Sequence, residues 1–173
     1  LNFVNTYFAK KIAGDGEGAT SLFEVKVINA ESKEQARLLS RSVVSSSLTK
    51  AAIFGRDVNW GRIICAMGYS GAVFDPEQLD LYLESAAGNI KLVENGVELF
   101  YSGEIAVDIL SKPEICITAD IKSGSFSAAA WGCDLTYDYV KINASYSSQI
   151  HYHSSEGEKY GYRNNSGKSK CFN

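Results

Sequence analysis

The stretch TSLFEVKVINAESKEQARLLSRSVVS, residues 20–45, changes its hydrophobic period half-way along. Leu22, Glu24, Lys26 and Ile28 alternate with Phe23, Val25 and Val27, which puts successive side chains on opposite faces of a strand. Ser32 with Gln35 after it resembles a capping box, and Ala36, Leu39 and Val43 then mark one face of a helix. A strand that leads directly into a helix indicates an α/β protein, and the flanking sequence decides which kind.

Upstream, Leu1, Val4, Phe8 and Ile12 recur at helical spacing, so residues 1–13 read as an amphipathic helix that stops at Gly14. A glycine-rich loop, DGEGAT at 15–20, joins it to the strand. Downstream, the helix after Ser32 runs out in Ser45-Ser46-Ser47, and Ala51 to Phe54 reads as a short strand. Asn59 stands at an N-cap position ahead of a shorter helix through Ile63, Ile64 and Met67, ended by Gly68 and Gly71. Leu79, Leu81 and Leu83 alternate as one face of a strand. Ile90–Val93 and Val97–Phe100 flank Asn95-Gly96, a strong hairpin signal. Ser102 begins a helix facing inward through Ile105, Ile109 and Leu110. Ile115, Ile117, Ala119 and Ile121 mark another strand, and a Ser123-Gly124 turn leads into Ser125–Trp131, whose small side chains predict a strand pressed against a neighbour. The sum is an α/β protein of the α+β-like kind, with mixed or antiparallel pairing rather than a regular βαβ series. Residues 149–173 are nearly free of aliphatic side chains and are expected to form a disordered tail.

The 173 residues are enough to bury a real core, and 45% hydrophobic with 21% charged residues is ordinary for a soluble globular protein. A net charge of −3 gives no electrostatic reason to expect nucleic acid or an anionic membrane as partner. No apolar stretch approaches the roughly 18 residues of a membrane span. The opening LNFVNTYFAKK lacks the signal-peptide pattern. Cys65, Cys116, Cys133 and Cys171 form no CxxC pair and read as reduced thiols, which fits a cytoplasmic protein.

Taken singly, few residues announce a chemistry. His151 and His153 are the only histidines; no acidic or cysteine partner stands at a metal-ligand spacing beside them, so no metal site is expected, and no Ser-His-Asp relay can be built. The loop at 14–20 follows a helix and precedes a strand, the reverse of a phosphate cradle. Glu17, flanked by two glycines, could receive an ammonium group or be a solvated acidic turn. Asn59-Trp60-Gly61-Arg62 is equally an N-cap with Trp60 in the core and Arg62 paired to Asp57. Asp134, Tyr137 and Asp138 fit an acid/base cluster or the acidic start of a helix.

Three segments together go further: DGEGAT at 15–20, AIFGRDVNWGRI at 52–63 with GYSG at 68–71, and AAWGCDLTYDYVKINASY at 129–146. In order and spacing they resemble the C-terminal chain of the ornithine acetyltransferase (glutamate N-acetyltransferase) family over residues 1–148. The resemblance implies a self-cleaving acyltransferase fold. Residues 1–30 would then end the catalytic domain, with residues 31–148 as a C-terminal α/β domain. It also implies transfer of acetyl from N-acetylornithine to glutamate in arginine biosynthesis, with no cofactor and with acetyl-CoA as a second donor in some members. Such precursors cut themselves in two, and the new N-terminal threonine is acylated, with an oxyanion hole from the first chain.

By the same resemblance Glu17 would hold the α-amino side of the substrate. Asn143, in KINASY, and Ser148 would donate hydrogen bonds to it. The self-cleavage motif is not found ahead of DGEGAT, so no catalytic residue is expected in this chain. The implied partners are the N-terminal chain and an upstream segment, assembled as pairs of two-chain units. Val58 stands where the family has proline, and Ser148 where it has threonine. A non-catalytic remnant and a related self-cleaving aminopeptidase are the alternatives.

Overall fold

Strand β1 (Leu22–Ala30) forms where the alternation begins and is the axis of the molecule. In the computed structural model, which describes residues 1–145, it lies between two strands from far along the chain. It runs parallel to β5 (Glu114–Asp120), pairing Leu22 with Glu114 and Ile28 with Asp120. It runs antiparallel to β6 (Phe126–Cys133), pairing Leu22 with Cys133. Strands β2 (Asp80–Ser85), β3 (Gly88–Glu94) and β4 (Val97–Glu98) extend the sheet by antiparallel pairing, in the order β4-β3-β2-β5-β1-β6. The expected mixed α/β architecture is the one observed.

One face of the sheet is apolar. Phe23, Val25 and Val27 of β1, Ile115, Ile117 and Ala119 of β5, and Leu81 and Leu83 of β2 are buried in a single cluster with helices α2 (Lys33–Ser45), α4 (Trp60–Gly68) and α5 (Gly103–Leu110). Helix α2 contributes Ala36, Leu39 and Val43, the face its periodicity marks. Its N-terminus is closed by Ser32, whose Oγ accepts from Gln35 N at 3.1 Å, while Gln35 Oε1 accepts from Glu31 N at 2.9 Å. Asn59 caps α4 by accepting from Arg62 N at 3.2 Å. β6 can lie close under α2 because it carries glycine and alanine: a Cβ on Gly132 would stand 3.1 Å from Val44 O.

Several local expectations are corrected. Ala51–Phe54 is not a strand but the end of helix α3 (Ser47–Phe54). Ser46 both closes α2 and caps α3, accepting from Thr49 N at 3.3 Å, so the serine run is a kink between helices rather than an exit into a loop. The second hairpin strand stops at Glu98 rather than Phe100, although Asn95 and Gly96 do form the turn, with φ of 47° and 74°. Ser102 stands at the N-cap of α5 without making a side-chain cap bond. Arg62 does not pair with Asp57: its guanidinium donates to Leu48 O at 3.0 Å, and Asp57 accepts from Asn59 Nδ2 at 3.1 Å. Trp60 packs against the core from a half-buried position and donates to Glu98 at 2.9 Å.

Helix α1 (Asn2–Gly14) forms as expected, but its apolar stripe is not buried: Leu1, Val4, Phe8 and Ile12 are all exposed. It sits over the polar face of the sheet, where Lys10 bonds Glu24 at 3.1 Å and Trp131 Nε1 donates to the same carboxylate at 2.9 Å. Burial pushes the Glu24 carboxyl up, but these two donors outweigh it and leave the group below the usual range.

Candidate substrate-binding site

The DGEGAT loop joins α1 to β1 and is fastened to the segment that follows β6. Asp134, just past that strand and only 3% exposed, accepts from Thr20 N at 2.8 Å, from Ser21 N at 3.1 Å and from the Thr20 hydroxyl. Its own backbone N–H donates to Ser21 O at 3.1 Å. Thr136, 4% exposed, donates through Oγ1 to Gly18 O at 2.8 Å and accepts from Tyr139 N at 3.1 Å, so one hydroxyl both caps helix α6 (Tyr137–Ala144) and holds the loop.

The two glycines of the loop are required by this fit. Gly18 has φ of 68°, and a Cβ there would meet Asp138 Cβ at 2.9 Å and Tyr139 N at 3.0 Å. A Cβ on Gly16 would stand 2.5 Å from Cys133 Sγ.

Between those glycines Glu17 points at the last turn of α6. Asn143 Nδ2 donates to Glu17 Oε2 at 3.0 Å and to Tyr139 O at 2.9 Å. Two residues that the resemblance ties to substrate are thus in contact across most of the chain, and both are exposed, open to a ligand from solvent. Their chemistry is that of a carboxylate acceptor beside an amide, suited to the amino and carboxyl groups of an amino acid. Ser148, His151, His153, Cys171 and the 149–173 segment lie outside the described residues.

Asp134 is enclosed by the loop and so is not an open acid/base group. Asp138 is in the first turn of α6, as a helix start rich in acidic residues predicts. Tyr137 is exposed, its ring 5.4 Å from that of Phe54 in an edge-to-face arrangement. The loop-fastening roles of Asp134 and Thr136 escape a reading of the sequence. The one local signal is Thr136 directly before a helical segment, a candidate N-cap. Cys65, Cys116 and Cys133 are free thiols, and burial pushes the Cys116 thiol up. Among the described residues no His, Cys, Asp or Glu side chains gather as metal ligands, and no helix is long and apolar enough to cross a membrane.

Comparison with known proteins places this geometry in a family. The ArgJ family model matches residues 1–148. The arginine biosynthesis bifunctional protein ArgJ of Caldanaerobacter subterraneus is 53% identical over 146 residues, 84% of this chain and 36% of that protein. The glutamate N-acetyltransferase of Methanothermobacter thermautotrophicus is 48% identical over 144 residues, 81% of this chain and 36% of that protein. The chain therefore spans a little over a third of the length of these relatives. The crystal structure of ArgJ from Bacillus halodurans superposes with a TM-score of 0.76 at 41% identity, covering 84% of this chain and 70% of that one. On sequence and on fold alike, the chain belongs to the ArgJ family.

Proposed function

We propose that this chain is the amino-acid-binding part of an acetyltransferase that moves acetyl from N-acetylornithine to glutamate in arginine biosynthesis. The observation that carries the proposal is the Glu17–Asn143 pair at 3.0 Å, exposed on a loop that is otherwise firmly fastened. The names of the relatives, arginine biosynthesis bifunctional protein and glutamate N-acetyltransferase, support the choice of reaction.

In this proposal a threonine hydroxyl on a preceding segment of the enzyme attacks the acetyl carbonyl carbon. The carbon–nitrogen bond breaks, and ornithine leaves as the amine after taking up the proton. The amine of glutamate then attacks the acyl-threonine ester and restores the hydroxyl. An oxyanion hole on the first chain stabilises both tetrahedral intermediates. Glu17 accepts from the α-nitrogen of the amino acid, and Asn143 and Ser148 orient its carboxylate. No residue of this chain acts as nucleophile, and no cofactor takes part. The partners are the N-terminal chain and the upstream segment, in a cytoplasmic assembly of two-chain units.

Acetyl transfer is to be measured on this chain alone and on the enzyme completed with the preceding family segments. Activity only in the completed enzyme is expected; activity of the chain alone would place the nucleophile here and sink the proposal. An assembled but silent enzyme would instead favour a non-catalytic remnant. In the active form, Glu17→Gln should weaken amino-acid binding by roughly 1.5–3 kcal/mol, the worth of a charged hydrogen bond. Unchanged kinetics would remove Glu17 from the site.

A further inference from the structure

Glu17 and Asn143 are 126 residues apart, yet their alignment has to be held to a fraction of an ångström for one amino acid to engage both. Their own mutual bond is exposed and is a weak source of order, since water competes for both partners. Order must come from beneath.

Two buried side chains of the Cys133-Asp134-Leu135-Thr136 segment supply it. The Thr136 hydroxyl ties Gly18 O, the carbonyl next to Glu17, to Tyr139 N in the first turn of the helix that carries Asn143. The loop and the helix therefore share a single oxygen as their common point. Asp134 fixes the other end of the loop through Thr20 and Ser21. No ion pair reaches Asp134 among the described residues. Its donors are two N–H groups and a hydroxyl, each with a fixed direction, so the clamp sets geometry rather than charge.

We infer that Asp134 and Thr136 are positioning residues of the amino-acid pocket, which set substrate affinity by fixing Glu17 against Asn143 without touching the substrate. The inference rests on the assignment of Glu17 and Asn143 to substrate binding proposed above. It concerns KM, because the acylated threonine lies on another segment and its attack does not depend on this loop's hydroxyls. It also makes the order of replacements chemically specific. Thr136→Ser keeps the oxygen that both groups use. Asp134→Asn keeps an oxygen for the two N–H groups, and the Thr20 hydroxyl can turn to accept from the new amide.

The test is a mutant cycle in the completed enzyme, with KM and kcat measured separately for N-acetylornithine and glutamate. Thr136→Val, close to threonine in shape, is expected to raise KM about tenfold with kcat within about threefold, and Thr136→Ser to restore KM. In a Glu17→Gln background Thr136→Val should add less than about twofold, because a residue acting through Glu17 has little left to act on. Asp134→Asn should stay near wild type, while Asp134→Ala behaves like Thr136→Val if it folds.

A full additional loss in the Glu17→Gln background overturns the inference, because Thr136 would then act independently of Glu17. A fall in kcat at unchanged KM, or failure of serine to restore KM, overturns it as well. If Glu17→Gln itself leaves KM unchanged, the binding assignment fails first; a raised KM in Glu17→Gln beside an unaffected Thr136→Val sinks the positioning role alone.

Discussion

The two ends of the sheet each bury a carboxylate, and they satisfy it in opposite ways. Where β1 begins, Asp134 is met by neutral donors of the DGEGAT loop. Where β1 ends, Asp80 faces two lysines: Lys122 at 2.6 Å on one oxygen and Lys91 at 2.9 Å on the other, with Asn95 N at 2.8 Å and the Tyr82 hydroxyl at 3.4 Å as further donors. Lys122 also donates to Asn95 Oδ1 at 2.6 Å, so the turn of the β3–β4 hairpin and the turn after β5 are drawn onto a single anion. An ammonium on a flexible stem supplies charge with little direction, whereas N–H and O–H donors supply direction with little charge. The ionic end therefore governs whether the β2–β4 half holds together, and the neutral end governs where Glu17 sits.

The sharpest way to break this division is Asp80→Ala, which takes the shared acceptor from Lys122, Lys91 and the Asn95 N–H. Both lysines keep access to solvent, so the loss should be roughly 2–3 kcal/mol in urea unfolding, the worth of hydrogen bonds to a charged group. Amino-acid KM in whatever folded enzyme survives should stay unchanged; a KM shift as large as that of Thr136→Val would mean that the two ends are not separable.

Acid offers a second, smaller handle. Burial pushes the Asp80 carboxyl up, but Lys122, the Asn95 N–H and Lys91 outweigh it and bring the group down to about 2. A carboxyl lowered on folding contributes stability above its unfolded value near 3.9, and that contribution is lost as pH falls through the folded value. About 2 kcal/mol should therefore disappear between roughly pH 4 and pH 2, and Asp80→Asn should flatten this part of the profile. An unaltered profile in that variant would show that other carboxylates dominate acid unfolding.

The smallest effect belongs to the neutral end. Gly18→Ala puts a methyl group at positive φ against Asp138 and should cost about 1–2 kcal/mol of stability. Here, unlike at Asp80, the loss should be accompanied by a higher KM. A stability change with no change in KM would detach the loop from binding.

Much of the architecture was legible because its signals are local. Ser32 with Gln35, Asn59 before its helix, Asn95-Gly96, and the alternation from Leu22 to Ile28 each act within a few residues, and each structure forms there. Ala51–Phe54 misleads because four apolar residues suit a strand or a helix equally, and the deciding cap, Ser46, also ends the preceding helix. The apolar stripe of α1 marked a true helix without saying what would cover it. Strand order could not be read, since β1 pairs with strands 92 to 111 residues further on. The same distance hides the candidate site. Glu17 alone looked like a solvated turn, and only family resemblance tied it to Asn143. The bonds of Asp134 and Thr136 to the loop span 113 to 118 residues and leave no periodic trace.

Asn143 has one further consequence. Its amide carries two protons, and both are already spoken for, by Glu17 and by the Tyr139 carbonyl. Both neighbours are pure acceptors, so the amide cannot profitably turn round. The Asn143 bond uses one acceptor site of Oε2, and a carboxylate offers several more, so Glu17 can take a second donor while the amide stays in place. A neutral acceptor gains nothing from such a carboxylate, an amide N–H gains a bond, and an ammonium, bringing full charge, gains most. In the proposed pocket the resident amide thus aims Glu17 rather than competing with its guest.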